Sequence, residues 1–317
     1  MTSVLVRKLV RDVRWPLLVV GGLLFAFSAF WVKIAQRVTT EIAPFFNVLG
    51  AAQGIGKEVF DEVIFKGPGK VSQAVMGGAD IQFDKPNDFL AVELLHPVVV
   101  ILCSLWAVGR AAAAVSGELD KGTMELLLSQ PVPRNRLILA HLIVDLLAIP
   151  LLCGCILLGT QTGLALIGPF DVDYSVLQKL PANVQKFVKP GPPTLDVSAA
   201  RQWLGVVNLA CLMFALSGIT MLVSSAGRSR WQAMAVAGLL TVGMFVGNVV
   251  GQLWDTVAWV RPATAFFYYT PQKVWLKGDW TADGTTVPGA AVLLAVGAVG
   301  YLLALRVFTR RDLPAPL

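Results

Sequence analysis

The sequence predicts an all-α, polytopic membrane protein with six transmembrane helices. The first observation is composition: 56% of the 317 residues are hydrophobic, only 15% are charged, and the mean hydropathy is +0.68. One soluble core cannot bury so large a share of apolar side chains. The second observation is that these residues occur in runs of roughly 20, the length that a helix needs to cross a bilayer.

Each apolar run is predicted as a helix, because a helix satisfies its own backbone hydrogen bonds in lipid. Tryptophans mark the membrane interfaces: Trp15 and Trp31 bracket the first run, and Trp231 and Trp254 bracket the fifth. The predicted transmembrane helices are residues 15–34, 89–109, 137–160, 203–224, 231–254 and 288–307.

The residues before the first span form an amphipathic pattern. In 1–14, Val6, Leu9 and Val13 share one helical face, while Arg7 and Arg11 lie on another. This predicts an interfacial helix on the membrane surface. A cleaved signal peptide is the alternative for the first span, and a retained helix is favoured because the apolar run is full length.

The distribution of basic residues predicts the orientation. Half of the 26 Lys and Arg fall on one side of a six-span topology, which indicates that both termini are cytoplasmic. Residues 35–88, 168–201 and 255–287 are then extracytoplasmic loops, and the apolar piece 262–269 is expected to be re-entrant or to lie in the interface. The sequence pI is near 9.3. We attribute the excess of basic residues to the cytoplasmic face of a membrane protein, because the sequence shows no soluble basic domain that could bind nucleic acid.

The cytoplasmic segment 110–136 is expected to be a coupling segment that ends in a short helix. Thr123 is placed to cap that helix, Glu125 complements its dipole, and Pro131 ends it. A leucine-faced helix in the cytoplasm is a surface that needs a partner.

The pattern that carries a family resemblance is Gly117-Glu118-x-x-x-Gly122-Thr123-x-Glu125-Leu126-Leu127-Leu128-Ser129-x-Pro131-Val132-x-Arg134. It resembles the permease subunits of ABC-2 type ATP-binding cassette transporters, although His141 stands where such permeases often carry a lysine. The resemblance implies a homodimer or a pair of similar permeases, an ABC ATP-binding subunit docked below, and export across the cytoplasmic membrane. The residues expected to contact the ATPase are Glu118, Thr123, Glu125, Leu126, Leu127, Leu128 and Arg134.

The chain itself is not expected to be an enzyme or to bind a cofactor. The sequence contains no G-x-x-x-x-G-K-[ST] phosphate loop. ATP and Mg²⁺ are therefore expected on the partner subunit.

Several polar residues inside the spans are candidates for an intramembrane site, because charge at this depth is expensive. Asp145 follows His141 by one helical turn, and a pair between them is one hypothesis. The alternative is a solvated Asp145, or one paired with Arg134 or Arg136. Glu93 and His96, near the outer end of the second span, suggest a proton path.

Small residues recur every fourth position in the fifth span, at Gly243, Gly247 and Gly251. Such a stripe lets two helices approach closely. It predicts either a permease dimer contact or packing within one bundle.

Three other functions are alternatives to that of an ABC transporter permease. A proton-coupled secondary transporter would use Glu93, His96 and Asp145, but the matched broken helices typical of such proteins are absent from the sequence. An intramembrane metalloenzyme is disfavoured, because the only two histidines lie at opposite ends of their spans. A membrane anchor for an ATPase complex would share the same coupling segment.

Overall fold

The computed structural model describes residues 2–52, 85–124, 133–175, 177–179, 181–188, 191–282 and 284–311. Within these residues, six helices are long and apolar enough to cross a membrane. The predicted all-α class with six transmembrane helices is confirmed. The crossing helices are α1 (Thr2–Arg37), α6 (Asn135–Ile167), α8 (Gln202–Ala226), α9 (Arg230–Leu253), α11 (Gly289–Arg310) and the second span, Pro86–Ala112, whose main helix is α4 (Pro97–Ala112).

The first helix differs from its sequence-based prediction. Residues 2–37 form one α-helix without a break at residue 14, so no separate interfacial helix divides from the 15–34 span. A π-helical turn, Val38–Ile42, then leads into α2 (Ala43–Ala52). The loop predicted to begin at residue 35 is therefore helical through residue 52, and residues 53–84 lie outside the described residues.

The second span is not one continuous helix. It begins as α3 (Pro86–Ala91), continues through a 3₁₀ turn, Val92–Leu95, and restarts as α4 after His96. The restart has a local cause: His96 adopts extended backbone and its Nδ1 accepts a hydrogen bond from the Val98 amide, while Pro97 occupies the first helical position. The sequence predicts one helix over 89–109 with a kink at Pro97. The structure corrects this: the 3₁₀ turn separates two helices, so the kink is a full interruption.

Close helix pairs depend on glycine. A Cβ on Gly159 of α6 would lie 2.4 Å from the Phe25 carbonyl oxygen of α1, and one on Gly218 of α8 would lie 2.3 Å from the Gly297 carbonyl oxygen of α11. Only hydrogen at these positions allows the backbones to approach so closely. The pairs α1 with α6 and α8 with α11 make the most extensive helix contacts in the described chain.

The bundle has two distinct ends. The end formed by the starts of α1, α6 and α9 and the ends of α4, α8 and α11 is called here the basic end. The opposite end, called the loop end, carries the longer connections. These include β1 (Phe170–Asp171) paired antiparallel with β2 (Thr194–Leu195), α7 (Ala182–Gln185), and α10 (Pro271–Lys277).

The apolar aromatic segment near residue 262 folds into the loop end of the bundle. It forms two 3₁₀ helices, Asp255–Ala263 and Ala265–Tyr268, and Phe266 and Tyr269 are buried. The Tyr269 hydroxyl donates a hydrogen bond to the Leu94 carbonyl over 2.5 Å. This segment therefore packs on the interrupted second span.

Candidate coupling site at the basic end

The short helix α5 (Ser116–Asp120) lies at the basic end, just after α4. Gly122 follows it with a left-handed φ of 68°, a conformation that glycine adopts at little cost. The Thr123 hydroxyl donates to the Glu118 carboxylate and also to the Glu118 carbonyl oxygen over 3.2 Å. The two predicted contact residues Glu118 and Thr123 are thus bonded to each other, while Asp120 and Lys121 are exposed.

The other predicted contact residues fall into two groups. Glu125, Leu126, Leu127 and Leu128, with the helix that Thr123 was expected to cap, lie outside the described residues. Arg134 is described, and its Nη1 donates to the Arg311 carbonyl oxygen over 2.7 Å. Arg134 therefore contacts the end of α11 within the same chain.

A buried ion pair joins the helices on either side of the coupling segment. Arg110 Nε of α4 lies 2.9 Å from Asp145 Oδ1 of α6, with only 6% and 2% of the two side chains exposed. Asp145 Oδ2 accepts hydrogen bonds from the Ser217 hydroxyl of α8, over 2.6 Å, and from the Tyr301 hydroxyl of α11. Asp145 therefore links α4, α6, α8 and α11 at one point.

His141 belongs to the same cluster through Arg110. Arg110 Nη2 donates to the His141 carbonyl oxygen over 2.5 Å, and Nη1 lies 3.3 Å from His141 Nδ1. The expected direct partner of Asp145 is corrected: neither His141 nor Arg134 or Arg136 pairs with Asp145 among the described residues, and the partner is Arg110. The reason is helix packing, since Asp145 faces the bundle interior, where Arg110 of α4 lies.

A second anchor holds the start of the coupling segment. The Ser224 hydroxyl, near the end of α8, accepts hydrogen bonds from the backbone amides of Val115 and Ser116, over 3.2 and 3.1 Å, and donates to the Ala112 carbonyl oxygen over 3.0 Å. One side chain thus satisfies backbone groups left free between α4 and α5.

A third anchor involves Arg311. Its Nη1 donates to the carbonyl oxygens of Ser225 and Gly227, over 3.0 and 2.8 Å. A cation at this position complements the carboxyl end of α8. Since Arg134 donates to Arg311 in turn, both ends of the coupling segment connect to the same helix terminus.

The polar residues predicted near the outer end of the second span do not form a pair. Glu93 is fully buried and accepts a hydrogen bond from the Thr160 hydroxyl of α6 over 3.1 Å. The His96 ring instead packs against the rings of Phe27 and Trp31, with centroids 4.9 and 5.0 Å away. The two side chains face different neighbours.

The predicted glycine stripe of α9 is divided between two environments. A Cβ on Gly251 would meet Arg261 Cγ at 2.5 Å, and one on Gly247 would touch Thr264 and Val260 at 3.6 Å, so both face the loop-end segment of the same chain. Gly243 has open space around it.

Sequence reasoning missed several of these residues. Arg110 was not among the predicted site residues. An acid inside the third span nevertheless needs a cation at a similar depth, and Arg110 closes the second span. The pairing of Ser224 with Ser116 gave no sequence signal, because serine is common in membrane helices. Gly159 and Gly163 did offer one, a Gly-x-x-x-Gly spacing that brings α6 against α1.

An apolar cleft of about 380 Å³ lies on the bundle between α4 and α9. Its walls include Ile101 and Leu105 of α4 and Val242 and Phe245 of α9. Phe266 of the loop-end segment also lines it. The cleft borders α9, the least buried of the crossing helices.

The comparisons with known proteins agree with the coupling-segment pattern. A family model described as "ABC-2 family transporter protein" matches residues 6–313, nearly the whole chain. A comparison with curated proteins finds no match. Six crossing helices, the pattern from Gly117 to Arg134 and this match lead to one conclusion: the chain belongs to the ABC-2 family of transporter proteins and is a multi-pass membrane permease.

Proposed function

We propose that this chain is the membrane-spanning subunit of an exporter, driven by a separate ABC ATPase that docks at the basic end. The observation that carries the proposal is the anchoring of the coupling segment. Its two ends are tied by buried or partly buried polar contacts to α4, α6, α8 and α11. A displacement of the segment by a partner would therefore pass directly to most of the bundle.

The charge distribution supports the proposed orientation, with the basic end in the cytoplasm. Arg110, Arg134, Arg230 and Arg311 all lie at this end, as the positive-inside rule expects of a cytoplasmic face. ATP and Mg²⁺ would bind the partner subunit, and both termini would be cytoplasmic. The direction of transport rests on the family resemblance.

We further propose that two copies of the chain pair in the membrane through α9. This helix exposes Leu239, Val242 and Val246, with 74%, 58% and 48% of their side chains accessible. Gly243 lies among them with open space around its Cα. Small and apolar residues together suit close helix contact between copies.

The contacts favour this function over a proton-coupled secondary transporter. Asp145 is neutralised by Arg110, and Glu93 contacts Thr160, fifteen residues further along α6. At 1.5 Å per residue the two carboxyl groups are about 22 Å apart along that helix. They are too far apart to exchange a proton directly.

The test is co-purification with the ATPase encoded beside this chain. We expect the wild type to retain the ATPase and the Glu125→Arg, Leu127→Asp double variant to lose it. The matched control is Glu41→Arg with Ile42→Asp, which makes the same chemical changes at exposed positions near the loop end. If the ATPase binds no form of a folded chain, or binds the coupling-segment variant as well as the control, the proposal fails.

A further inference from the structure

A second polar cluster lies at the loop end, away from the coupling site. Its centre is the Glu93 carboxyl group, on the 3₁₀ turn that interrupts the second span, and its relative exposure is 0%. Ser28 of α1, Thr160 of α6 and Gln202 of α8 surround it. All three of these residues are also fully buried.

The hydrogen bonds in this cluster are incomplete. Glu93 Oε2 accepts from the Thr160 hydroxyl over 3.1 Å and lies 3.5 Å from Gln202 Nε2, which donates to Thr160 over 2.7 Å. Glu93 Oε1, Gln202 Oε1 and the Ser28 hydroxyl, by contrast, have no hydrogen-bond partner in the described part of the chain. Buried polar atoms are normally hydrogen-bonded. The Ser28 hydroxyl lies against the Glu93 carboxyl group, but its single O–H can donate to only one of the two unpartnered oxygens, Glu93 Oε1 and Gln202 Oε1. One donor is therefore still missing.

No positive charge balances Glu93 within residues 2–52, 85–124 and 133–311 as far as they are described. The ion pairs of those ranges join Arg37 with Glu41, Arg110 with Asp145, and Lys273 with Asp279. Asp145, by contrast, is a buried carboxylate with a paired cation, since Arg110 Nε lies 2.9 Å from its Oδ1.

The neighbouring titratable groups do not supply the missing donor either. The Tyr269 hydroxyl donates to the Leu94 carbonyl, and the His96 ring accepts from the Val98 amide. The helices that contact the turn are α3, α4, α8 and α10. Their charged or titratable residues are Asp88, Cys103, Arg110, Cys211, Lys273 and Lys277, and Arg110 pairs with Asp145 at the basic end.

A proton on the Glu93 carboxyl group would account for both the missing positive charge and the missing hydrogen-bond donor. It removes a buried negative charge, which is costly without a paired cation. It also creates an O–H donor beside two buried acceptors, Gln202 Oε1 and the Ser28 hydroxyl. We propose that Glu93, Ser28, Thr160 and Gln202 form a proton-binding site at the loop end, with the proton carried by the Glu93 carboxyl group.

The residues of the site come from several helices, so proton binding is linked to how these helices pack together. Ser28, Thr160 and Gln202 belong to three different crossing helices, α1, α6 and α8. A conformation that separates these helices at the loop end would expose the carboxyl group to water, which would take the proton as hydronium. Reclosure would return a proton from water to the carboxylate. Opening of the loop end is therefore linked to pH on that side of the membrane, and this link holds whether or not an ATPase docks at the basic end.

Infrared spectroscopy tests the site on the intact chain in phosphatidylcholine vesicles, with glutamate labelled by ¹³C at the side-chain carboxyl. We expect the C=O stretch of a protonated glutamic acid at neutral pH, and its loss in Glu93→Gln. The matched control, Glu41→Gln, removes an exposed glutamate and should leave this band unchanged. Ser28→Ala, which removes a hydrogen-bond acceptor, should shift the band to higher frequency.

Two results would overturn the proposal. The first is a wild-type spectrum at neutral pH with carboxylate bands and no protonated glutamic acid band, since Glu93 would then be ionised. The second is a protonated band that appears only after Na⁺ is replaced by choline, because the site would then hold a metal cation. If Glu93→Gln does not fold, the wild-type band and its shift in Ser28→Ala decide the question.

Discussion

Arg110, the first residue of the coupling segment, and Asp145, on the helix that follows the segment, form an ion pair of 2.9 Å inside the bundle. The pair lies where α4 ends and where α6 has completed its first turns. It thereby fixes the distance between the two helices that the segment connects. A docked partner that moves the segment must move these helices together or break the pair.

Removal of one member of this pair is expected to be far more costly than removal of both. Asp145→Leu leaves the Arg110 guanidinium buried without its counter-charge, at a cost of about 3–5 kcal/mol. The Arg110→Met, Asp145→Leu double variant should recover most of that loss. Thermal unfolding of the wild type, Arg110→Met, Asp145→Leu and the double variant in the same detergent measures this double-mutant cycle. Equal losses in the single and double variants would contradict the ion pair as a stabilising unit.

Ser224→Ala should loosen the start of the coupling segment. The backbone amides of Val115 and Ser116 lose their acceptor, at about 1–3 kcal/mol for buried donors left unsatisfied. We expect faster amide hydrogen exchange at both residues, with little change elsewhere. Ser225→Ala is the matched control, because the Ser225 hydroxyl bonds only to the local Leu222 carbonyl among described residues. Unchanged exchange in Ser224→Ala would show that the anchor contributes nothing.

Gly159→Ala and Gly154→Ala, on the same helix, should have opposite effects on stability. The new methyl group at residue 159 would lie 2.4 Å from the Phe25 carbonyl oxygen, which forces α1 away from α6. At residue 154 a methyl group has open space, and alanine is favoured over glycine in a helix by about 1 kcal/mol. The melting temperatures of the two variants provide the measurement. A stabilised Gly159→Ala would mean that the α1–α6 approach is looser than in this structure.

Gly243→Cys should form a disulfide between two copies of the chain under mild oxidation. Residue 243 has open space on the exposed apolar face of α9, and the proposed dimer brings two such faces together. Non-reducing gels of oxidised membranes would show a band of twice the monomer mass.

The controls for this experiment are Gly22→Cys and the wild type. Residue 22 of α1 also has open space, but it lies outside the proposed contact, and the native cysteines are mostly buried. Cross-linking at residue 22 and not at residue 243 would place any dimer contact on α1.

The crossing helices were predictable because each depends on a local property, a run of apolar residues long enough for the bilayer. The coupling segment was predictable because its pattern from Gly117 to Arg134 is contiguous in sequence. The interruption at His96 was missed in part: Pro97 gave the position of a bend, but a 3₁₀ turn that buries Glu93 depends on contacts with α6 and α8.

The sequence alone therefore established the class of the protein, the number and approximate positions of its spans, and the segment by which its family is identified. Composition and short motifs carry that information without reference to distant residues. Tertiary structure alone decided that Asp145 pairs with Arg110 rather than His141, that Ser224 anchors Ser116, and that Gly247 and Gly251 face their own chain. Each of these contacts joins residues on different helices. These contacts form only when each helix has the right rotation about its axis and packs closely enough against its neighbour. Because apolar residues are abundant on every face of these helices, the sequence alone does not determine that rotation.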